Sequence, residues 1–203
     1  APRATIRDCR IADAIFGIYL READDATIER TSVTGIPGRA PGEIGSGIHV
    51  WNSQRFHLTG NSIAGTRDGM YIQASSHGVV RGNVARDLRY GLHYMFSDDN
   101  LFEDNTFETG AAGVALMYSK RLVFRRNRFV RNRGFASVGL LLKACATDPN
   151  DRFTSATTHA ASSSKAHTAT TSAATSWPCR TRRSSSMTRA AATPSKATHS
   201  WAT

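Results

Sequence analysis

Apolar and polar residues alternate along the first two thirds of this chain in a pattern that returns every 22 residues. One apolar column consists of Ile48, Met70, Leu92 and Val114, and a second, two residues further on, consists of Val50, Ile72, Tyr94 and Leu116. Successive side chains of a β-strand point to opposite faces, so this spacing predicts strands with one buried and one outward face. Each repeat predicts two or three short strands separated by turn residues.

Three residue types mark the same register in four copies. The glycines are Gly47, Gly69, Gly91 and Gly113, the serines are Ser53, Ser75, Ser97 and Ser119, and the asparagines are Asn61, Asn83, Asn105 and Asn127. Self-similarity at a fixed period is typical of a solenoid, in which each coil buries its apolar side chains against its neighbours. The sequence predicts an all-β fold, a right-handed parallel β-helix of about 22 residues per coil, with the asparagines as a structural ladder.

The repeats are predicted to cover residues 1–143, with a Pro- and Gly-rich loop insertion at about 34–46. The first residues match the middle of a coil, so we expect that the natural start, with any signal peptide, is missing from this chain. Near the other boundary, Gly139 opens a further coil four residues late.

Composition changes abruptly after Lys143. Residues 144–203 contain no Gly, Ile, Leu or Val, and about two thirds of them are Ala, Ser or Thr. Such a segment buries too little apolar surface to offset the entropy of ordering it. Two interpretations stay open, a natural disordered low-complexity tail and an out-of-frame translation of further repeats. We favour the second, because the change follows directly after a new coil has opened.

The formal net charge of +10 divides about equally between the repeats and residues 144–203. The clearest basic run is residues 120–133, in which arginines alternate with apolar residues as the two faces of strands do. We interpret it as a solvated face and predict no nucleic-acid partner. The three cysteines have neither disulfide nor metal-type spacing, and no apolar run is long enough to predict a membrane span.

The outward face of the glycine-led strand has an unusual composition. Its two columns are His49, Tyr71, His93 and Ala115, and Trp51, Gln73, Met95 and Met117. Three interpretations stay open. His93, Met95 and Met117 offer imidazole and thioether donors that suit Cu(I). Alternatively the stripe, with His49, Trp51 and Tyr71, is a docking surface for a protein. The third interpretation is a stripe packed under a loop, without a functional role.

Catalysis is a further alternative, because parallel β-helices also serve as carbohydrate-binding or polysaccharide-cleaving proteins. Such sites need clustered carboxylates. The richest acidic cluster is Asp98 and Asp99, but the equivalent residues of the next coil are Lys120 and Arg121. We therefore expect ion pairs between coils at this place, and no enzyme activity.

Several coils resemble the NosD family. The resemblance is carried by residues 47–53 (GIHVWNS), 89–100 (RYGLHYMFSDDN), 113–119 (GVALMYS) and 139–143 (GLLLK). It covers roughly residues 1–143, and its most specific part is the stretch YGLHYMFSDDN.

This resemblance implies a non-catalytic accessory protein of the periplasm that helps to assemble the copper-sulfide centre of nitrous oxide reductase. Members of the family are thought to work with the ATPase and permease subunits of an ABC transporter, and to receive copper from a lipoprotein chaperone. The resemblance therefore implies a protein that is peripheral to the membrane through its partners.

Overall fold

A computed structural model of the chain describes residues 3–133, 138–145, 152–154 and 157–159. Within these ranges the regular structure is almost entirely β, with a single 3₁₀ turn at Pro41–Glu43. The strands form three parallel sheets, which we call A, B and C, and successive strands along the chain pass from one sheet to the next. This arrangement confirms the predicted all-β solenoid. No helix in the described part of the chain could cross a membrane.

Sheet A contains β1 (Thr5–Arg7), β4 (Thr27–Glu29), β7 (His57–Thr59), β10 (Val79–Arg81), β13 (Leu101–Glu103), β16 (Val123–Arg125) and β19 (Arg152–Thr154). Sheet B contains β2 (Arg10–Ile11), β5 (Ser32–Thr34), β8 (Ser62–Ala64), β11 (Val84–Arg86), β14 (Thr106–Glu108), β17 (Arg128–Val130) and β20 (Thr157–His159). Sheet C contains β3 (Ile18–Arg21), β6 (Ile48–Trp51), β9 (Asp68–Gln73), β12 (Tyr90–Met95), β15 (Ala112–Met117) and β18 (Val138–Lys143).

Strand pairing follows the sequence register. Leu92 of β12 pairs with Met70 of β9 and with Val114 of β15, each one repeat away. The coil that ends before Gly139 is longer than 22 residues, but the strand pairing is kept, since Val114 pairs with Leu140. Beyond the predicted boundary at residue 143, β19 and β20 add one strand each to sheets A and B.

The predicted inward columns form the core. Ile48, Leu92 and Tyr94 are fully buried, and they pack with the inward residues of sheets A and B. Two of the core columns stack aromatic rings between coils, with Phe102 4.4 Å from Phe124. A single coil has no such partner, so burial depends on the stack.

Buried asparagines and serines join the coils at the corners. In the asparagine ladder, each backbone N–H and each side-chain Nδ2 donate to Oδ1 of the next asparagine, at 2.9 to 3.0 Å. In the serine ladder, Ser53 N donates to Ser75 Oγ at 3.0 Å, and the same bond recurs in the next two coils. The buried Cys145 takes the next place in this column, where its thiol contacts the carbonyl of Lys143.

Ion pairs link equivalent corner positions of successive coils. Two guanidinium nitrogens of each arginine bind both carboxylate oxygens in the pairs Asp8–Arg30, Asp25–Arg55, Asp99–Arg121 and Asp104–Arg126. The predicted pairing of Asp98 and Asp99 with the next coil is thus confirmed for Arg121, whereas Lys120 donates its backbone N–H to Asp98.

These pairs predict a loss of stability in acid. The hydrogen bonds from arginine lower the pKa of all four aspartates. Carboxyls with a lowered folded-state pKa stabilise the fold above their unfolded pKa of about 4, and this contribution is lost as the pH falls further. We expect the free energy of unfolding in urea to be constant near neutral pH and to decline toward about pH 3. The decline should be less steep at high salt, because the pairs are exposed. A stability that stays constant across this range would contradict the prediction.

Candidate functional site

The outward face of sheet C carries the predicted columns in the predicted register. Tyr71 pairs with His49 and His93, and Met95 pairs with Gln73 and Met117. Most members are half-buried, whereas the inward residues between them are fully buried. The structure therefore brings the candidate residues of neighbouring coils side by side.

Four aromatic rings follow one another along the first column. Tyr19 meets His49 edge-on at 4.7 Å, and Tyr71 stacks between His49 and His93 with its ring centre 4.5 Å from each imidazole. Because the phenol ring separates the two imidazoles, His49 and His93 cannot bind a common ion.

A buried carboxylate lies at the edge of this stack. Asp68 begins β9, and its side chain is 0% exposed. Arg89 binds both of its oxygens at 2.9 and 2.6 Å, and Arg67 lies 3.5 Å away. The His93 Nδ1 atom lies 3.4 Å from Asp68 Oδ2 but is not aligned for a hydrogen bond. Three basic side chains therefore surround one carboxylate beside the column of aromatic rings.

Electrostatics fix the protonation of this cluster. Burial alone would raise the pKa of Asp68, but the contacts with His93 and Arg89 outweigh it and lower the pKa. Burial lowers the pKa of His49, with further contributions from Arg67 and His93. Burial also raises the pKa of Tyr71. At neutral pH the cluster therefore has an ionised Asp68, a neutral His49 and a protonated Tyr71.

The two methionines of the second column lie next to each other. Met95 and Met117 are cross-strand partners, both half-buried, and the hydroxyl of Tyr71 donates to Met95 Sδ at 3.5 Å. Thioether sulfur and imidazole nitrogen are soft donors that suit Cu(I). His93 lies on the same face, two residues before Met95. Among the described residues, no group of three or more His, Cys, Asp or Glu side chains could hold a metal ion.

The remaining predicted residues have other surroundings. Trp51 lies under the guanidinium of Arg21, 4.6 Å from the ring centre. His49 has a buried Nε2 atom without a hydrogen-bond partner.

Sequence reasoning missed two features of this face. The first is the cluster of Asp68 with Arg89. Its only signal was an acidic residue immediately before the lead glycine, where the other coils have Ser46, Tyr90 and Ala112. The second feature lies at the corner that follows the methionines.

Two large aromatic side chains lie exposed at that corner. Phe96 and Tyr118 are 55% and 43% exposed, and their rings stack at 5.0 Å. Both have a left-handed backbone, with φ of 50° and 53°, which costs a residue with a side chain about 1–2 kcal/mol. Asn52 and Ala74 occupy the equivalent positions of two other coils. The left-handed angle is therefore a property of this corner in the repeat, whereas the exposed aromatic side chains favour a contact surface for another molecule.

An open groove of about 780 Å³ lies at the corner between sheets B and C. One wall is formed by residues 34–39 of the insertion and the other by corner residues that include 64–66 and 87–89. Arg89 lines the groove and binds Asp68 with its guanidinium. The groove and the outward face of sheet C are neighbours that share this arginine.

Comparison with known proteins identifies one family. A family model described as periplasmic copper-binding protein (NosD) matches residues 29–148, more than half of the chain. Among solved structures, the chain is similar to an alginate lyase from Paenibacillus sp. str. FPU-7, with 14% sequence identity and a TM-score of 0.44. That alignment covers 67% of this chain and 57% of the lyase, and a likeness this distant carries no argument about activity. No curated protein sequence matches the chain.

Proposed function

Because the chain belongs to the NosD family of periplasmic copper-binding proteins, we propose that it binds Cu(I) as cargo on the outward face of sheet C. The observation that carries this proposal is the juxtaposition of Met95 and Met117 on adjacent strands, with His93 on the same face. These residues present the soft donors that Cu(I) prefers, and they lie half-buried, where competition from water is reduced.

The proposed role is that of a periplasmic accessory protein in the assembly of the copper-sulfide centre of nitrous oxide reductase. We propose that a lipoprotein chaperone delivers the copper, and that the ATPase and permease subunits of an ABC transporter supply the energy. Phe96 and Tyr118, the exposed pair, directly follow the two methionines in sequence. A partner protein bound at this pair would therefore lie next to the sulfur donors. The protein itself is proposed to be non-catalytic.

A variant without the three donors tests the copper site. The substitutions His93→Ala, Met95→Leu and Met117→Leu keep apolar volume at both methionines. We expect the Cu(I) affinity, measured by competition with a chromogenic chelator, to fall about 100-fold, since residues behind metal ligands already contribute 10–100-fold. Met70→Leu is the matched control, because it removes a thioether that is fully buried on the inward side.

The same variant tests the role in the cell. In a denitrifying bacterium that lacks the gene, the wild-type gene should restore a reductase with its copper-sulfide centre, and the triple variant should not. Equal copper affinity of the triple variant and the wild type would refute the binding site. A fully loaded reductase in the deletion strain would refute the role in assembly.

A further inference from the structure

Asp68 has surroundings that the proposed copper site does not explain by itself. A fully buried carboxylate on an outward face costs desolvation energy unless it is paired. Arg89 binds both of its oxygens and Arg67 lies within 3.5 Å, so two guanidinium groups face this charge besides His93. The contact between Asp68 and His93 also acts on the imidazole itself.

The two ring nitrogens of His93 have different environments. Nδ1 is buried and has no aligned hydrogen-bond partner, and the nearest acceptor is Asp68 Oδ2 at 3.4 Å. Nε2 forms no hydrogen bond with the described residues and is not fully buried, in a side chain that is 14% exposed. Stacking on Tyr71, with an interplanar angle of 10°, limits the tilt of the ring.

We infer that Asp68 is a positioning residue, which holds the proton of His93 on Nδ1 so that Nε2 presents its lone pair at the outer face. A neutral imidazole has one donor and one acceptor nitrogen, and a neighbouring carboxylate selects the tautomer with the proton on its own side. Histidines that bind metals commonly direct their second nitrogen to a carboxylate in this way. The tautomer itself exists without copper. Only its consequence, the presentation of Nε2 to Cu(I), rests on the proposed function.

The tautomer can be measured in the copper-free protein. With the chain labelled with ¹⁵N, the ring nitrogens of neutral His93 should report a protonated Nδ1 and an unprotonated Nε2. The opposite tautomer in the wild-type protein would overturn the inference, and this result requires no variant to fold. In Asp68→Asn the preference for Nδ1–H should be lost or reversed, because the amide can donate to the ring as well as accept.

Copper binding by the variant gives the second measurement. We expect Asp68→Asn to weaken Cu(I) binding about tenfold, the lower end of what residues behind metal ligands contribute. Asp99→Asn is the matched control, because it removes a carboxylate that is likewise bound to an arginine by two hydrogen bonds, but in the corner ion pairs. Equal copper affinities of Asp68→Asn and Asp99→Asn would overturn the link between Asp68 and the site.

The outcomes separate the two proposals. If the wild-type protein has the Nδ1–H tautomer but does not bind Cu(I), the proposed copper function fails and the positioning by Asp68 stands. If it binds Cu(I) with the other tautomer, the function stands and the positioning fails.

Discussion

Replacement of Asn83 by alanine is expected to lower the free energy of unfolding by about 4 kcal/mol. Asn83 Oδ1 accepts from both the backbone N–H and the Nδ2 of Asn61, and its own Nδ2 donates to the Leu58 carbonyl and to Asn105 Oδ1. Four buried hydrogen bonds disappear at once, and the Asn61 N–H loses its acceptor in a place without water. A small domain with a total stability of about 5–15 kcal/mol would lose a large part of it.

Asn52→Ala is the control for this effect. Its side chain is exposed and has no hydrogen bond among the described residues, and Ala74 already occupies the equivalent position of the next coil with φ of 50°. We expect a loss of about 1 kcal/mol or less. Urea unfolding followed by circular dichroism measures both variants. Equal losses in the two would show that the ladder contributes no more than an exposed corner residue does.

Gly91→Ala is the second substitution with a large expected effect. A Cβ atom built on Gly91 would lie 2.7 Å from the carbonyl oxygen of Gly113 and 2.5 Å from Phe107 Cδ1. The carbonyl belongs to the neighbouring coil and cannot move without breaking strand pairing, so overpacking here should cost about 3 kcal/mol. The lead glycine of each repeat is therefore required for close backbone contact rather than for an unusual backbone angle.

Gly42→Ala makes the same chemical change where space is available. Gly42 has no atom within 4 Å of a built Cβ and does not have a positive φ. The free energy of unfolding of the Gly42→Ala variant should stay within about 0.5 kcal/mol of the wild-type value. A variant at Gly91 that unfolds at the same urea concentration as the variant at Gly42 would refute the packing argument.

Most of the fold could be predicted from the repeats, because the same pattern of residues recurs in each coil. Glycine, serine and asparagine at fixed spacing define the register, and the register separates inward Leu92 from outward His93. The two strands past residue 143 were not predicted, since Ala- and Thr-rich residues carry no apolar alternation. Their pairing depends on the coil beneath them.

The candidate site was predicted only in part, for a reason that also lies in the repeat. Columns compare residues at equal positions, and they grouped Met95 with Met117 correctly. The cluster of Asp68 and Arg89 joins different positions, 21 residues apart instead of one full repeat, so no column contained it. A contact between different positions of the repeat can be recognised only from the three-dimensional structure of the corner between two sheets.

That corner, between sheets B and C, also absorbs the irregular coil lengths before residue 143. From β3 to β6 the chain takes 30 residues for one coil instead of 22, and the surplus lies between Thr34 and Ile48. From β15 to β18 the surplus lies between Val130 and Val138. Strand register survives both additions. A change of chain length at this corner can therefore alter the groove beside Arg89 without altering the strand pairing of the core.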